Sequence, residues 1–268
     1  MSDRKTELTL DLEVSIDGHV GNIILNRPQR KNAFTIDMLR QWANALRDFQ
    51  AENQVRVVVV RGRGDVFCSG ADLGDLDGLD RTPLNSRRLM TDHVHQIARA
   101  VEELTKPLIA AINGPAIGAG LDMALMCDYR IASEHARVSE GYVRLGLVPG
   151  DGGCFYLPRL IGKSRALRLL WTGEFLDARQ ALEWGIVDEV CNADELEGRV
   201  TSFATVLAQR APAAVQMIKT AVRQSETGDL RSALDLIASH QAVVMSTLDS
   251  REALSAHLER RSPKFIGR

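Results

Sequence analysis

The sequence predicts an α/β core followed by a helical C-terminal region. Three observations carry that prediction. Apolar, β-prone runs alternate with segments of helical spacing; a glycine-punctuated turn joins one such run to a buried helix; and everything after Asp194 patterns as helix. The expected division is 1–205 for the core and 206–268 for the helical region. The second part has little core of its own and is expected to pack on a neighbour, such as another subunit.

Taken in order, Leu8 to Asn26 alternates apolar and polar residues around Asp17-Gly18, which predicts a hairpin. Thr35 is placed to cap a helix on which Met38, Leu39, Trp42, Leu46 and Phe49 share one stripe, so these are core residues. The run VRVVVV from Val55 to Val60 reads as a strand buried on both faces. Gly62 to Asp75 is a loop that enters a helix at Ser69-Gly70-Ala71-Asp72, and a single long helix is expected from Asn85 to Leu104. Strands are expected at Leu108 to Ile112, Tyr129 to Ser133 and Ile186 to Val190. Gly141 to Gly153 is a second glycine-rich loop, and helices follow from Cys154 and from Ala178. Pro212 starts a further helix, and Thr227-Gly228-Asp229 breaks the helical run before Leu230.

Composition narrows the function classes. A chain of 268 residues with 45% hydrophobic and 25% charged residues is an ordinary soluble globular protein. A formal charge of −2 makes no case for nucleic acid as a partner. Cys68, Cys127, Cys154 and Cys191 are widely spaced, as suits a reducing compartment with neither a disulfide frame nor a metal site. His93 and His95, two residues apart, do not share a helix face for a metal. The first residues hold no apolar signal core and no stretch approaches the length of a membrane span, so the expected location is the cytoplasm.

The stretch that bears chemistry runs from Lys106 to Asp128. The turn Gly114 to Gly120 feeds a strand into the helix LDMALM, leaving free N–H groups among small side chains. Met123 is too bulky for the third glycine of a dinucleotide fingerprint, and no Gly-Lys-Ser/Thr follows for a phosphate loop. An oxyanion hole fits better. A second loop-to-helix junction lies at Gly70-Ala71. If the two junctions face each other, the N–H groups of Ala71 and Ala119 converge on one carbonyl oxygen; two tight turns with no ligand are the plain alternative.

The motifs Asn26-Arg27-Pro28, Asn32-Ala33, Ser69 to Leu73 (SGADL), Lys106-Pro107 through Gly120 and Met126-Cys127-Asp128 occur in an order and spacing that resembles the enoyl-CoA hydratase/isomerase, or crotonase, family. Leu145 to Gly150 with Gly152-Gly153, Thr172-Gly173 and Ala181 through Gly185 extend the likeness over almost the whole chain. The resemblance implies a spiral of repeated ββα units with a C-terminal helical trimerisation region, assembled as a homotrimer or homohexamer. It implies an acyl-CoA thioester as ligand, with coenzyme A carried by the substrate and no separate cofactor. Ala71 and Ala119 match the donors to the thioester oxygen. Arg27 and Lys31 become candidates for the CoA phosphates, the Ala71-Asp72-Leu73 segment for the CoA side of the site, and Lys264 and Phe265 for the nucleotide end from a neighbouring subunit. Asp72 also suits a helix cap.

Hydratases of the family work with two glutamates around one water. The first matches Asp122, whose carboxylate is shorter by one methylene, about 1.5 Å. At the second stands Tyr142, whose ordinary pKa near 10 is a poor match for a carboxylate. Asp151, in the turn where branches that make or break carbon–carbon bonds hold a working aspartate, and Glu140 are candidates to compensate. For Asp151 the alternative is a helix cap with a depressed pKa, for Glu140 an exposed surface carboxylate, and for Asp122 a helix-start role. The foremost expectation is hydration of a 2-enoyl-CoA to a 3-hydroxyacyl-CoA. The alternatives are an enoyl-CoA isomerase, a carbon–carbon bond hydrolase of a β-dicarbonyl or β-ketoacyl-CoA using Asp151, and a non-catalytic CoA-binding protein.

Overall fold

In the computed structural model, which describes residues 10–72, 74 and 82–268, the valine run becomes the strand Val57–Gly62 (β3), parallel to Leu108–Ile112 (β4). Val58 and Val60 face one hydrophobic core while Val57 and Val59 face another. That two-sided burial explains the unbroken apolar sequence. The hairpin Leu12–Asp17 (β1) and Val20–Leu25 (β2) adds to one side of the sheet, and Tyr129–Ser133 (β6) and Glu189–Cys191 (β9) to the other, in the order β1-β2-β3-β4-β6-β9. A small second sheet of Ala116–Ile117 (β5), Arg137–Ser139 (β7) and Leu176–Asp177 (β8) stands beside it.

Ile36–Ala51 (α1) covers one face with Met38, Leu39, Trp42, Leu46 and Phe49 buried, and Thr35 caps it by accepting from the Met38 N–H. Leu196–Ala208 (α8) covers the other face through Leu196, Val200, Ala204 and Ala208. Between them in sequence come Pro83–Leu89 (α2), His95–Glu103 (α3), Ala119–Leu125 (α4), Gly153–Ile161 (α5), Lys163–Thr172 (α6) and Ala178–Trp184 (α7). Pro212–Ser225 (α9), Leu230–Ser246 (α10) and Leu248–Leu258 (α11) complete the helical C-terminal region. This is the crotonase fold expected from the sequence: ββα-like units followed by helices. Among the described residues no helix is long and apolar enough to cross a membrane.

Two expectations are corrected. The single helix from Asn85 to Leu104 is two helices joined by a wide π turn over Met90–Val94, which apolar spacing alone does not disclose. The last strand is not Ile186 to Val190 but Glu189–Cys191, because Gly185 ends α7 in a left-handed conformation and the Ile186 N–H turns back to the Ala181 carbonyl. The small sheet is an addition to the expected elements, since its strands, two or three residues long, have no period to detect. Residues 76–81, the first part of the segment from Leu76 to about Met90 expected to select the acyl group, lie outside the described residues.

Candidate active site

The two loop-to-helix junctions face each other. The loop after β3 and the loop after β4 are tied by the N–H groups of Phe67 and Cys68, both donating to the Pro115 carbonyl, and by the Ile117 N–H donating to Cys68 at 3.0 Å. A side chain at Gly120 would place its Cβ 2.2 Å from the Cys68 oxygen, so the closeness of the loops depends on that glycine. Gly70 has φ +96°, and a Cβ there would lie 3.5 Å from the Ala119 nitrogen. The Gly70–Ala71 peptide is thus packed against the start of α4. Phe34 takes the neighbouring groups, donating to the Gly70 carbonyl and accepting from the Asp72 N–H. Among the described residues, neither the Ala71 nor the Ala119 N–H has a protein acceptor. Two adjacent, unspent donors are what an oxyanion hole requires.

Beside them sits a buried cluster of acids. Asp122 on the first turn of α4 and Glu140 are 0% exposed, and Asp151 is 7% exposed. The Tyr142 hydroxyl lies 2.7 Å from Oδ2 of Asp122 and 2.9 Å from Oδ2 of Asp151. A phenol has one proton, so it donates to one aspartate only; the other contact is a hydrogen bond when that second aspartate is protonated and donates to the phenol oxygen. The pair therefore holds a carboxyl proton. Burial raises both, Asp122 to about 6 and Asp151 to about 7, and the Asp122 charge adds to the rise at Asp151. Asp122 is held the lower of the two by hydrogen bonding from Tyr142, Glu140 and the backbone N–H groups of Gly153 and Asp151, whereas Asp151 has Tyr142 alone. Burial, then the Asp122 charge, pushes Glu140 up to about 10, and burial with the aspartate charges drives the Tyr142 phenol far above its ordinary range.

Two readings of these carboxyls are revised by the geometry. Asp151 does not cap the following helix: Gly152 is the N-cap of α5, no side chain caps it, and the Asp151 pKa is raised rather than depressed. Glu140 is not a surface carboxylate, since no part of it reaches solvent. Gly153 makes the cluster possible. A Cβ there would fall 2.3 Å from Oδ1 of Asp122 and 3.2 Å from Oε1 of Glu140.

The family model for enoyl-CoA hydratase/isomerase matches residues 15–268. The chain belongs to that family. It is 34% identical over 254 residues to the 1,2-epoxyphenylacetyl-CoA isomerase of Escherichia coli K12, covering 94% of this chain and 97% of that protein. It is 35% identical over 259 residues to the 2,3-dehydroadipyl-CoA hydratase of the same organism, covering 96% and 99%. The crystal structure of an enoyl-CoA hydratase from Bacillus anthracis superposes with a TM-score of 0.92 at 34% identity, covering 97% of this chain and all of that one. The chain is thus a crotonase-family enzyme of acyl-CoA thioesters.

The remaining residues singled out for this crotonase divide by position. Lys31 is exposed, and its carbonyl accepts from the Ser69 N–H at 3.0 Å, which sets it beside the Ala71 loop. Arg27 is engaged within the protein: its guanidinium donates to the Ala33 carbonyl and pairs with Asp72 at 2.8 Å. Asp72 also accepts from the Gly74 N–H, as a cap does. Leu73 lies outside the described residues. Lys264 and Phe265 are not brought to the acid cluster of their own subunit. The Phe265 carbonyl accepts from Arg56, at the start of β3, whereas Ala71 follows the other end of that strand. Burial pushes the Cys68 and Cys127 thiols up to about 12, leaving them as small hydrophobes, while Cys154 is exposed.

Sequence reasoning overlooked two participants. Asn32, fully buried, accepts from the Arg27 N–H and donates to the carbonyls of Arg63 and Val66, fastening the first loop. His95 Nε2 lies 3.0 Å from the Gly150 carbonyl, so α3 supports the turn that carries Asp151. The Asn32-Ala33 motif offered a signal for the first; a separation of 55 residues hid the second.

Proposed function

We propose that this crotonase shifts a carbon–carbon double bond along an acyl-CoA thioester by moving one proton between two carbons. The observation that carries this reading is the Tyr142 hydroxyl bound between Asp122 and Asp151. Hydration of the family's usual kind needs two carboxylates with a water between them. Here a phenol oxygen stands between the two acids, and a phenol passes protons without being consumed.

The steps balance without another reactant. The thioester oxygen binds at the N–H groups of Ala71 and Ala119, which acidifies the α-carbon. Asp122, ionised, takes the α-proton of a 3-enoyl-CoA; the C–H electron pair moves into a dienolate whose negative charge rests on the bound oxygen. Protonated Asp151 gives its proton to the γ-carbon, and the 2-enoyl-CoA forms as the dienolate collapses. Asp122 then returns its proton to Asp151 through the Tyr142 hydroxyl, restoring the site.

Lys31, exposed beside the Ala71 loop, is proposed for the CoA phosphates, with Arg27 orienting the same loop through Asp72. Lys264 and Phe265 would serve the nucleotide end only from a neighbouring subunit. Exposed apolar residues on α9–α11 support association into the trimer or hexamer that the resemblance implies. Hydration of a 2-enoyl-CoA is the second reading, favoured by the buried Asp122–Asp151 pair, which would serve a water if Tyr142 swung aside.

Initial rates with a 3-enoyl-CoA and with crotonyl-CoA separate the two. Isomerisation is expected to exceed hydration, and Tyr142→Phe to lower isomerisation by about 100-fold, the scale of a lost proton-transfer partner. Rapid hydration of crotonyl-CoA that survives Tyr142→Phe would overturn the proposal.

A further inference from the structure

Glu140 has no place in the proton path just described, yet it is as fully enclosed as Asp122. Both its carboxyl oxygens, and Oδ1 of Asp122, are buried and receive no hydrogen bond from any conventional donor among the described residues. The two carboxyls meet on one side of Gly153, where an added Cβ would lie 2.3 Å from Oδ1 of Asp122 and 3.2 Å from Oε1 of Glu140. Two ionised carboxylates cannot occupy that space with their oxygens unsatisfied, because each would lose its hydration and repel the other. One proton between them removes the conflict. Among the described residues, the groups whose charge bears most on Glu140 are acids: Asp122 on α4, Asp151, the Cys154 thiol and the Tyr142 phenol. Glu140 is therefore the member of the pair that keeps the proton, since Oδ2 of Asp122 accepts from the Tyr142 hydroxyl whereas neither oxygen of Glu140 receives a hydrogen bond among the described residues.

We propose that Glu140 is a positioning residue, a carboxylic acid that stays neutral while the enzyme works, donates to Oδ1 of Asp122, fixes that carboxylate as the base and leaves the exchangeable proton with Asp151. The assignment of base and acid rests on the isomerase reading; the neutral state of Glu140 does not. With Tyr142 the arrangement is a chain of four groups, running from Asp151 through the phenol to Asp122 and ending at Glu140. Its last member sets the direction of the others because it gives a hydrogen bond and keeps its proton.

Two measurements test this. The first is infrared spectroscopy of the ligand-free enzyme at about pH 8.5, above the values to which both aspartates are raised. A protonated-carboxyl stretch is expected in the wild type and should vanish in Glu140→Gln; its absence from the wild type would overturn the proposal. No substrate is involved, so failure of the isomerase reading leaves this result untouched.

The second is the acid limb of kcat/KM, read on whichever reaction the enzyme performs. Glu140→Leu removes a donor from Asp122 and is expected to move that limb up by about one pH unit, a tenfold loss at a fixed pH below it. Glu140→Gln keeps a donor and is expected to leave the limb in place. If Glu140 were ionised, both variants would remove a negative charge and move the limb down. A downward shift, or no shift in Glu140→Leu, sinks the proposal.

Discussion

At the scale of single residues, Tyr142 shows how one departure from a family pattern changes the chemistry around it. The phenol supplies no negative charge, so it accommodates Asp151 where a second carboxylate in its place would repel it. Its hydroxyl then joins Asp122 to Asp151 at 2.7 and 2.9 Å. The acids that surround it make the folded state sensitive to pH in a definite direction. A carboxyl whose pKa is higher in the folded chain holds a proton that the unfolded chain has lost, so its contribution is complete below the unfolded value and lost as pH rises through the folded one. For Asp151 that window runs from its ordinary value of 3.8 to about 7; for Glu140 it runs from 4.5 to about 10. Thermal melts of the wild type and Glu140→Gln should therefore nearly coincide at about pH 4, with the wild type falling progressively below the amide variant as pH rises toward about 10. Parallel curves across that range would show that Glu140 titrates at its ordinary value.

At the scale of elements, the site is assembled by short pieces that work through closeness rather than size. Gly120 and Gly153 are two points where a methyl group collides with the site itself, at 2.2 Å from the Cys68 carbonyl and 2.3 Å from Oδ1 of Asp122. Gly153→Ala should lower kcat by at least tenfold and cost roughly 1–3 kcal/mol of stability, the scale of overpacking a tight interior. Unfolding by denaturant and turnover measured together would check it. Unchanged turnover would mean that the cluster has room to relax. The same pieces mark the reach of sequence reasoning. The central helix, the valine strand and the Thr35 cap were legible because apolar period and capping chemistry are local properties. The placement of Ala71 and Ala119 at two junctions and of Asp122 at the start of α4 was legible because the motifs that hold them are contiguous. Burial of Glu140 was not, since the chain around it is polar and its enclosure comes from α4 and Gly153. Nor was the contact of His95, which follows the π turn, with Gly150, because it joins residues 55 apart in sequence.

At the scale of the whole molecule, the parallel strands deliver their loops to one end of the sheet while the C-terminal tail ends at the other. The tail is fixed there by the hydrogen bond from Arg56 to Phe265 and by Asp249, which accepts from the N–H groups of Ile266 and Gly267. The C-terminal helices leave Ile218, Leu230, Leu234 and Leu258 more than half exposed in a single subunit. An apolar surface of that extent calls for a partner, and sedimentation analysis of the wild type should show a trimer or a multiple of it. Leu234→Glu should shift the distribution toward monomer, unless the apolar face belongs to some other contact, in which case the distribution will not move.

The enclosure of the acid chain has a consequence for the fate of individual atoms. If Asp122 collects and Asp151 dispenses, and the phenol lies between them, the hydrogen that leaves with a product is not the one that arrived with it. Each acyl group deposits an atom that moves one place along the queue and departs on a later visitor. The site then carries a short memory, in isotopes, of the molecules it has already released.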